Sequence, residues 1–519
     1  MRKRLLTVLL AAAMLLAMAP ALSAQATEAK ELVIVDSEWQ GIDMFQCTSW
    51  NGIQQLIADT ILIKAEDGSS LPCIASKSVW SEDGKTWTLT IPEGMYYSTG
   101  AQVEPEDVKA SIEWGLQVST YGVSGMEFES IDVSGRDVIF HLKDFMADME
   151  YNFMDGFIGV IDKDELDTMT KEELLWGCHP YGPYYVAEYS PGAYAILKAN
   201  PGYKTNNPLV TNQGPSKADT LRVIITETED FTAYTGISTG EYDILADTPT
   251  DYVEDLMTNP DVTVVSASGA SVKYAEMNIK NEFLSDPNVR KAVILGISRD
   301  HINGYMNSFH EAAYSLVLDL CLNYDPAAEE YYKANYGYDP ELAKSLLAES
   351  GYTDSDGDGY VDKDGKKLTF IFSIRDDDTS VMVGESVRAD MKDIGIDLTL
   401  EPQNWSYVNQ KVVDGAFDMA YLGLGWGEPM LLVNRFCNRN AECTNLDLAG
   451  QMELVTKAQS TVDYDERTKV ITQIQEKLFD YCTIIPLLSD KDGFRTWRSG
   501  IKGIVTTPTG GFFLGDIEW

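Results

Sequence analysis

Three features of the sequence predict an α/β chain of two large lobes. Once an amino-terminal leader is set aside, about 490 of the 519 residues remain, whereas a single hydrophobic core stops growing at roughly 250 to 300 residues. From Leu368 to Leu422 strands and helices alternate, the pattern of parallel pairing through right-handed crossovers. A last apolar strand, Ile484 to Leu488, comes after that α/β unit and can return the chain to the first lobe.

Taken in order, the chain opens with Arg2, Lys3 and Arg4, an apolar run from Leu5 to Met18, and Ala24-Gln25-Ala26. This is the form of an export signal cleaved after Ala26. No later run reaches eighteen apolar residues, the length a membrane span needs, so a soluble mature chain is expected. Lipid attachment needs a cysteine just after the apolar run, and the first cysteine is Cys47; no lipid anchor is expected.

Leu32 to Val35 form a continuous apolar run suited to a strand buried on both faces. Ile53, Leu56, Ile57 and Ile61 recur at helical spacing, which predicts a helix. Trp87, Leu89 and Ile91 alternate with Thr88 and Thr90, and Val138, Phe140 and Leu142 repeat the period of two, so both are strands. Between them Glu104-Pro105-Glu106-Asp107 opens a helix, with proline at its start and acids in its first turn, where the backbone dipole favours them. Asp286-Pro287 and Asp339-Pro340 open two more, the second ending at Gly351. Then come the strand Leu368 to Ile374, a helix carrying Val383, Val387 and Met391 that ends at Gly395, and the strand Ile396 to Leu400. A short helix near Val408 and Val412 and the strand Phe417 to Leu422 complete the alternation. The long helix from Asp463 to Cys482 starts with a box-like Asp463 and Glu466 and carries the stripe Val470, Ile471, Ile474 and Leu478.

Composition excludes several functions. A net charge of −41 disfavours nucleic acid and anionic lipid, which clustered Lys and Arg would bind. Its simplest role is solubility, and steering of cationic ligands is the sharper alternative. Seven cysteines in an exported chain permit disulfides, with a local Cys437–Cys443 bridge across the polar stretch between them as the candidate. The four histidines show no metal-ligand spacing. Neither a Gly-x-Ser-x-Gly nor a His-Glu-x-x-His motif supports a secreted hydrolase.

Several blocks, in order along the chain, resemble the class 5 extracellular solute-binding proteins, the dipeptide- and oligopeptide-binding family of ABC importers. The first runs from Ala75-Ser76 through Trp80-Ser81-Glu82-Asp83-Gly84-Lys85-Thr86-Trp87 to Ile91-Pro92-Glu93-Gly94, Gly100-Ala101 and Glu106-Asp107-Val108. Tyr181-Gly182-Pro183-Tyr184, Asn200-Pro201-Gly202-Tyr203, Asp286 to Ala292, Tyr338 to Lys344, Ile394-Gly395-Ile396 and Ile485-Pro486-Leu487 continue the series. The resemblance implies a two-lobed periplasmic-binding-protein-like fold with an extra subdomain in lobe one. Its expected divisions are a signal peptide at 1–26, lobe one at 27–273 with the subdomain at about 63–179, lobe two at 274–485, and a return to lobe one at 486–519. Crossing strands are expected near Tyr274 to Asn278 and Ile484 to Ser489. It further implies a monomeric receptor without catalysis, in the periplasm or at the outer face of the cytoplasmic membrane, that captures a small solute and delivers it to an ABC permease. A peptide is the expected solute; an oligosaccharide or other solute is the alternative.

The same resemblance supplies site candidates. Arg375 matches the arginine that dipeptide binders use for the ligand carboxylate, and it stands at a strand end, where α/β sheets face crevices. The competing role is a surface pair with Asp376, Asp377 or Asp378. Relatives follow a Gly-Trp pair with an aspartate for the ligand ammonium, whereas here the segment reads Gly425-Trp426-Gly427-Glu428-Pro429. Glu428 either replaces that aspartate or caps a turn, and Trp426 and Trp405 are candidate cleft walls. Asp354, Asp356 and Asp358, with Asp362, resemble part of an EF-hand calcium loop, but Gly365 stands where the bidentate glutamate belongs. A turn is the favoured reading of that loop and weak calcium affinity the alternative; no other cofactor is expected.

Overall fold

The computed structural model describes residues 31–519 apart from 38, 48–52, 66–68, 121, 125, 155, 226–229, 267–270, 305–309, 320, 426, 439–440, 491–492 and 507–510. The leader therefore lies outside the described residues. Among them no helix is long and apolar enough to cross a membrane.

Two sheets and two cores organise the chain. The first sheet has seven strands in the order Val262–Ser266, Phe494–Arg498, Ile244–Leu245, Glu31–Asp36, Thr220–Ile225, Tyr194–Ala199, Tyr184–Ser190. The second has six, in the order His310–Ala312, Ile484–Asp490, Ser271–Met277, Met419–Gly425, Thr369–Arg375, Asp397–Gln403. One large core joins Leu32, Trp87, Phe140 and Leu221 to Trp497 and Ile517. The other spans Val272 to Leu488. The carboxyl-terminal residues thus rejoin the first lobe. A smaller four-stranded antiparallel sheet, drawn from residues 77–141, packs with the helix Pro105–Val118 onto the first core.

Local chemistry explains most of these elements. Glu104 and Asp107 close a reciprocal capping box at the start of Pro105–Val118. Asp286 caps Pro287–Gly296 and Asp339 caps Pro340–Glu349, each with proline in the first turn. Gly395, at φ 82°, ends the helix Asp378–Asp393 in the left-handed conformation that only glycine adopts without strain. Thr369–Arg375 pairs in parallel with both Asp397–Gln403 and Met419–Gly425.

Two expectations fail. The helix predicted over Ile53 to Ile61 is a single 3-10 turn, Gln54–Leu56, followed by the strand Leu62–Lys64. All four apolar residues are buried, but the backbone is drawn elsewhere: Asp59 N donates to Tyr181 O at 2.8 Å and Leu62 N to Phe153 O at 3.0 Å. Apolar spacing does not distinguish conformations once every side is covered. Cys437 and Cys443 are each buried and unbridged, as are the other five cysteines, which behave as small core residues.

The lobes are joined where the chain leaves one sheet for the other, between Ser266 and Ser271 and again between Asp490 and Phe494. Tyr274 to Met277 and Ile484 to Ser489, where the crossings were expected, lie inside strands of the second sheet, so the chain crosses before the first of them and after the second. Ser271 is paired with Asp490, and Ser266 with Phe494, so the two connections begin and end at paired residues. At no more than about 3.6 Å per residue, four residue steps from Asp490 to Phe494 hold the two sheet edges within about 14 Å.

Candidate functional site

Strand polarity locates the site. In lobe one the parallel strands end at Asp36, Leu245 and Ile225, on the edge from which the chain departs at Ser266. In lobe two they end at Arg375, Gln403 and Gly425, on the edge where it arrives at Ser271. Both sheets therefore point the carboxyl ends of their parallel strands at the connections, and such ends border ligand crevices in α/β folds.

A cavity of about 450 Å³ opens on this edge of lobe two. Arg375 and Trp405 both line it, so two of the sequence-derived candidates meet in one place. The strand ends with Arg375 outside the buried run Phe372 to Ile374. Its Nε lies 3.0 Å from Asp377 Oδ2, with both side chains well exposed, and no partner for its two Nη groups is found among the described residues. Asp377 is held in turn as the cap of Asp378–Asp393, accepting from Ser380 N at 2.9 Å and Ser380 Oγ at 3.0 Å. Asn404 caps the next helix by accepting from Tyr407 N at 3.0 Å, which sets Trp405 at the first helical position, 41% exposed.

The opposite wall was not foreseen. Lys273 and His310 line the cavity together with Ser271 and Tyr421. Lys273 is paired in register with Gly423, and a Cβ on that glycine would come within 2.8 Å of the lysine Cδ. Glycine thus leaves the channel along which the lysine stem lies. Asp490 stands in register with Ser271 and His310 at the same edge. A lysine inside an otherwise apolar strand, Val272 to Ala275, was the available signal; the pairing that gives it meaning joins residues 150 positions apart.

Glu428 is not among the cavity's lining residues. It is fully buried, accepts from Met430 N at 2.6 Å, and is ion-paired with Arg467 Nη2. Arg467 Nη1 donates to Asn323 Oδ1 at 2.8 Å. Burial pushes the Glu428 carboxyl up to about 7, against the pull of the arginine. The residue spends its hydrogen bonds inside lobe two. Trp426 lies outside the described residues.

Asp354, Asp356 and Asp358 bring carboxylate oxygens within 4.8 Å of one another on an exposed loop at the amino ends of the lobe two strands, away from the cavity. Asp354 accepts from Gly357 N and Gly359 N, and Asp358 is paired with Lys367 at 2.6 Å. Asp362 accepts from Ser355 N and Oγ. Gly357 and Gly359 both have positive φ. These carboxylates serve as turn acceptors.

Residues 71–443 match the family described as bacterial extracellular solute-binding proteins, family 5. The chain belongs to that family. The family 5 relatives include the oligopeptide-binding protein AppA of Bacillus subtilis (strain 168), 24% identical over 388 residues, covering 71% of this chain and 67% of AppA. The dipeptide-binding protein of Escherichia coli (strain K12) is 21% identical over 486 residues, covering 85% of this chain and 84% of its own. Among solved structures, NikA from Brucella suis in complex with Fe(III)-EDTA superposes with a TM-score of 0.78 at 18% identity, covering 94% of this chain and 99% of that one. The family 5 fold, two lobes facing a common crevice, is the fold described above.

Proposed function

We propose that this protein is the extracytoplasmic receptor of an ABC importer, and that it captures a short peptide by its carboxylate and presents it to the membrane permease. The observation that carries the reading is Arg375, held at a strand end beside Trp405, with two Nη groups directed to no protein partner among the described residues. A guanidinium offers a carboxylate two parallel hydrogen bonds. The exposed pair with Asp377 competes only weakly, since such pairs are worth about 0 to 1 kcal/mol. Trp405 supplies a flat apolar wall for a side chain, and Lys273 adds positive charge on the opposite wall. The relatives named for oligopeptides and dipeptides support the same solute class. Those relatives are named for binding, which supports a solute that is bound and released unchanged.

Mass spectrometry of solute released from the purified protein identifies the ligand, and calorimetry then tests the clamp. Arg375→Ala is expected to lose about 2 to 5 kcal/mol of binding. Arg375→Lys is expected to rescue little, because an ammonium lacks the planar fork. Unchanged affinity in Arg375→Ala would overturn the carboxylate reading. Loss confined to Trp405→Ala would identify a carbohydrate, whose ring faces pack on tryptophan.

A further inference from the structure

The segment after Gly425 does more than end a strand. Gly427, two residues beyond the cavity wall, is buried with both backbone groups engaged. Its N–H donates to Tyr151 Oη of lobe one at 3.1 Å, and its carbonyl accepts from Leu322 N of lobe two at 2.8 Å. A Cβ at this position would lie 2.4 Å from Tyr151 Oη and 2.9 Å from Lys64 Nζ, so glycine is what allows lobe one to come this close. Tyr151 itself is 4% exposed, with Lys64 Nζ 5.4 Å from its ring centroid.

The same tyrosine lines a second space of about 420 Å³ between the lobes. Tyr151, Phe145 and Met154 line it from lobe one, and Leu322, Tyr464 and Arg467 from lobe two. Three of these six, Tyr151, Leu322 and Arg467, are bonded to Gly427 or Glu428. Gly425 lines the Arg375 cavity, while Gly427 and Glu428 are bonded to residues that line the second space, so the contact of Gly427 with Tyr151 lies where one compartment gives way to the other.

We propose that Tyr151, closing on Gly427, is a length-determining residue: it confines the ligand to the Arg375 compartment and excludes peptides longer than about two or three residues. The proposal rests on the peptide reading above. A space of about 450 Å³ is near the lower end of the roughly 300 to 1,000 Å³ of small-molecule sites. An extended peptide adds about 3.3 to 3.6 Å per residue, so it meets the partition within a few residues of a carboxylate on Arg375.

Calorimetry with synthetic unmodified peptides of two to six residues tests this on the full-length mature protein. Wild type is expected to lose at least tenfold in affinity between three and five residues. Tyr151→Phe keeps the ring and is expected to keep that step. Tyr151→Ala joins the two compartments and is expected to abolish it. A wild type that binds all lengths alike would overturn the partition and leave the peptide reading standing, as would a folded Tyr151→Ala with an unchanged length profile. A wild type that binds no peptide would overturn both. Because the wild-type profile is decisive alone, an unstable variant does not blunt the experiment.

Discussion

Two arginine–carboxylate pairs in lobe two have the same chemistry and opposite surroundings. Arg375 and Asp377 sit at the cleft with side chains 50% and 38% exposed, whereas Arg467 and Glu428 are 6% and 1% exposed. The first pair is screened by water and can exchange one carboxylate for another. The second cannot, because separating it strands a charge in a dry environment. Exposure, more than residue identity, decides which arginine is available to a ligand and which belongs to the fold. Asn323 and Met430 add hydrogen bonds to the buried pair, while among the described residues the Arg375 guanidinium gives only its Nε, to Asp377.

The largest effect that could break this contrast is Arg467→Ala. Removing one partner of a buried pair costs about 3 to 5 kcal/mol, and urea denaturation should show a loss of that size. A loss below about 1 kcal/mol would mean that the pair behaves like the exposed one. The buried pair should also leave a pH signature. Glu428 has its carboxyl raised from 4.5 to about 7, and Asp36 and Asp59, buried in lobe one, are raised from 3.8 to about 7. Between their unfolded and folded values these groups hold more protons in the folded state, so stability falls as pH rises from about 4 through 7. The melting temperature should be lower at pH 8 than at pH 5.5. Glu428→Gln should flatten that dependence in part, and an equal or higher value at pH 8 would contradict the raised pKa values.

Smaller effects sharpen the other half of the contrast. Asp377→Ala removes both a helix cap, worth about 0.5 to 2 kcal/mol, and an exposed pair worth about 0 to 1 kcal/mol. The measured destabilisation should be about 1 to 2 kcal/mol. Arg375→Ala should change stability by less than about 1 kcal/mol while losing ligand, so binding and denaturation curves read on one sample separate its two roles. Least of all, a reductant such as dithiothreitol should leave the melting temperature unmoved, because the seven cysteines are buried and unbridged. A reductant-dependent shift would reveal a disulfide.

The fold was legible to the extent that it is written locally. The capped helices at Asp286, Asp339 and Asp463 and the alternation from Leu368 onward carry their own signals within a few residues, and the structure follows them. Arg375 and Trp405 were legible for the same reason, since a strand end is a local position with a general meaning. Lys273 and His310 were not, because they reach the cavity from the starts of antiparallel strands whose neighbours lie far along the chain. The role of Glu428 was hidden similarly. Its partner stands 39 residues away on the helix Tyr464–Asp480, and no short-range pattern marks a pair of that kind.

The strand Phe494–Arg498 lies in the interior of the lobe one sheet, between Val262–Ser266 and Ile244–Leu245. This placement sets an order of assembly. In a chain delivered amino end first, residues 271–490 are present as one continuous stretch before the piece that completes lobe one emerges, although lobe one was the first to begin. Domains fold as units once their residues are available, so the later lobe has the opportunity to fold first. Meanwhile the earlier one waits with two unpaired strand edges, the surfaces on which misassembly starts.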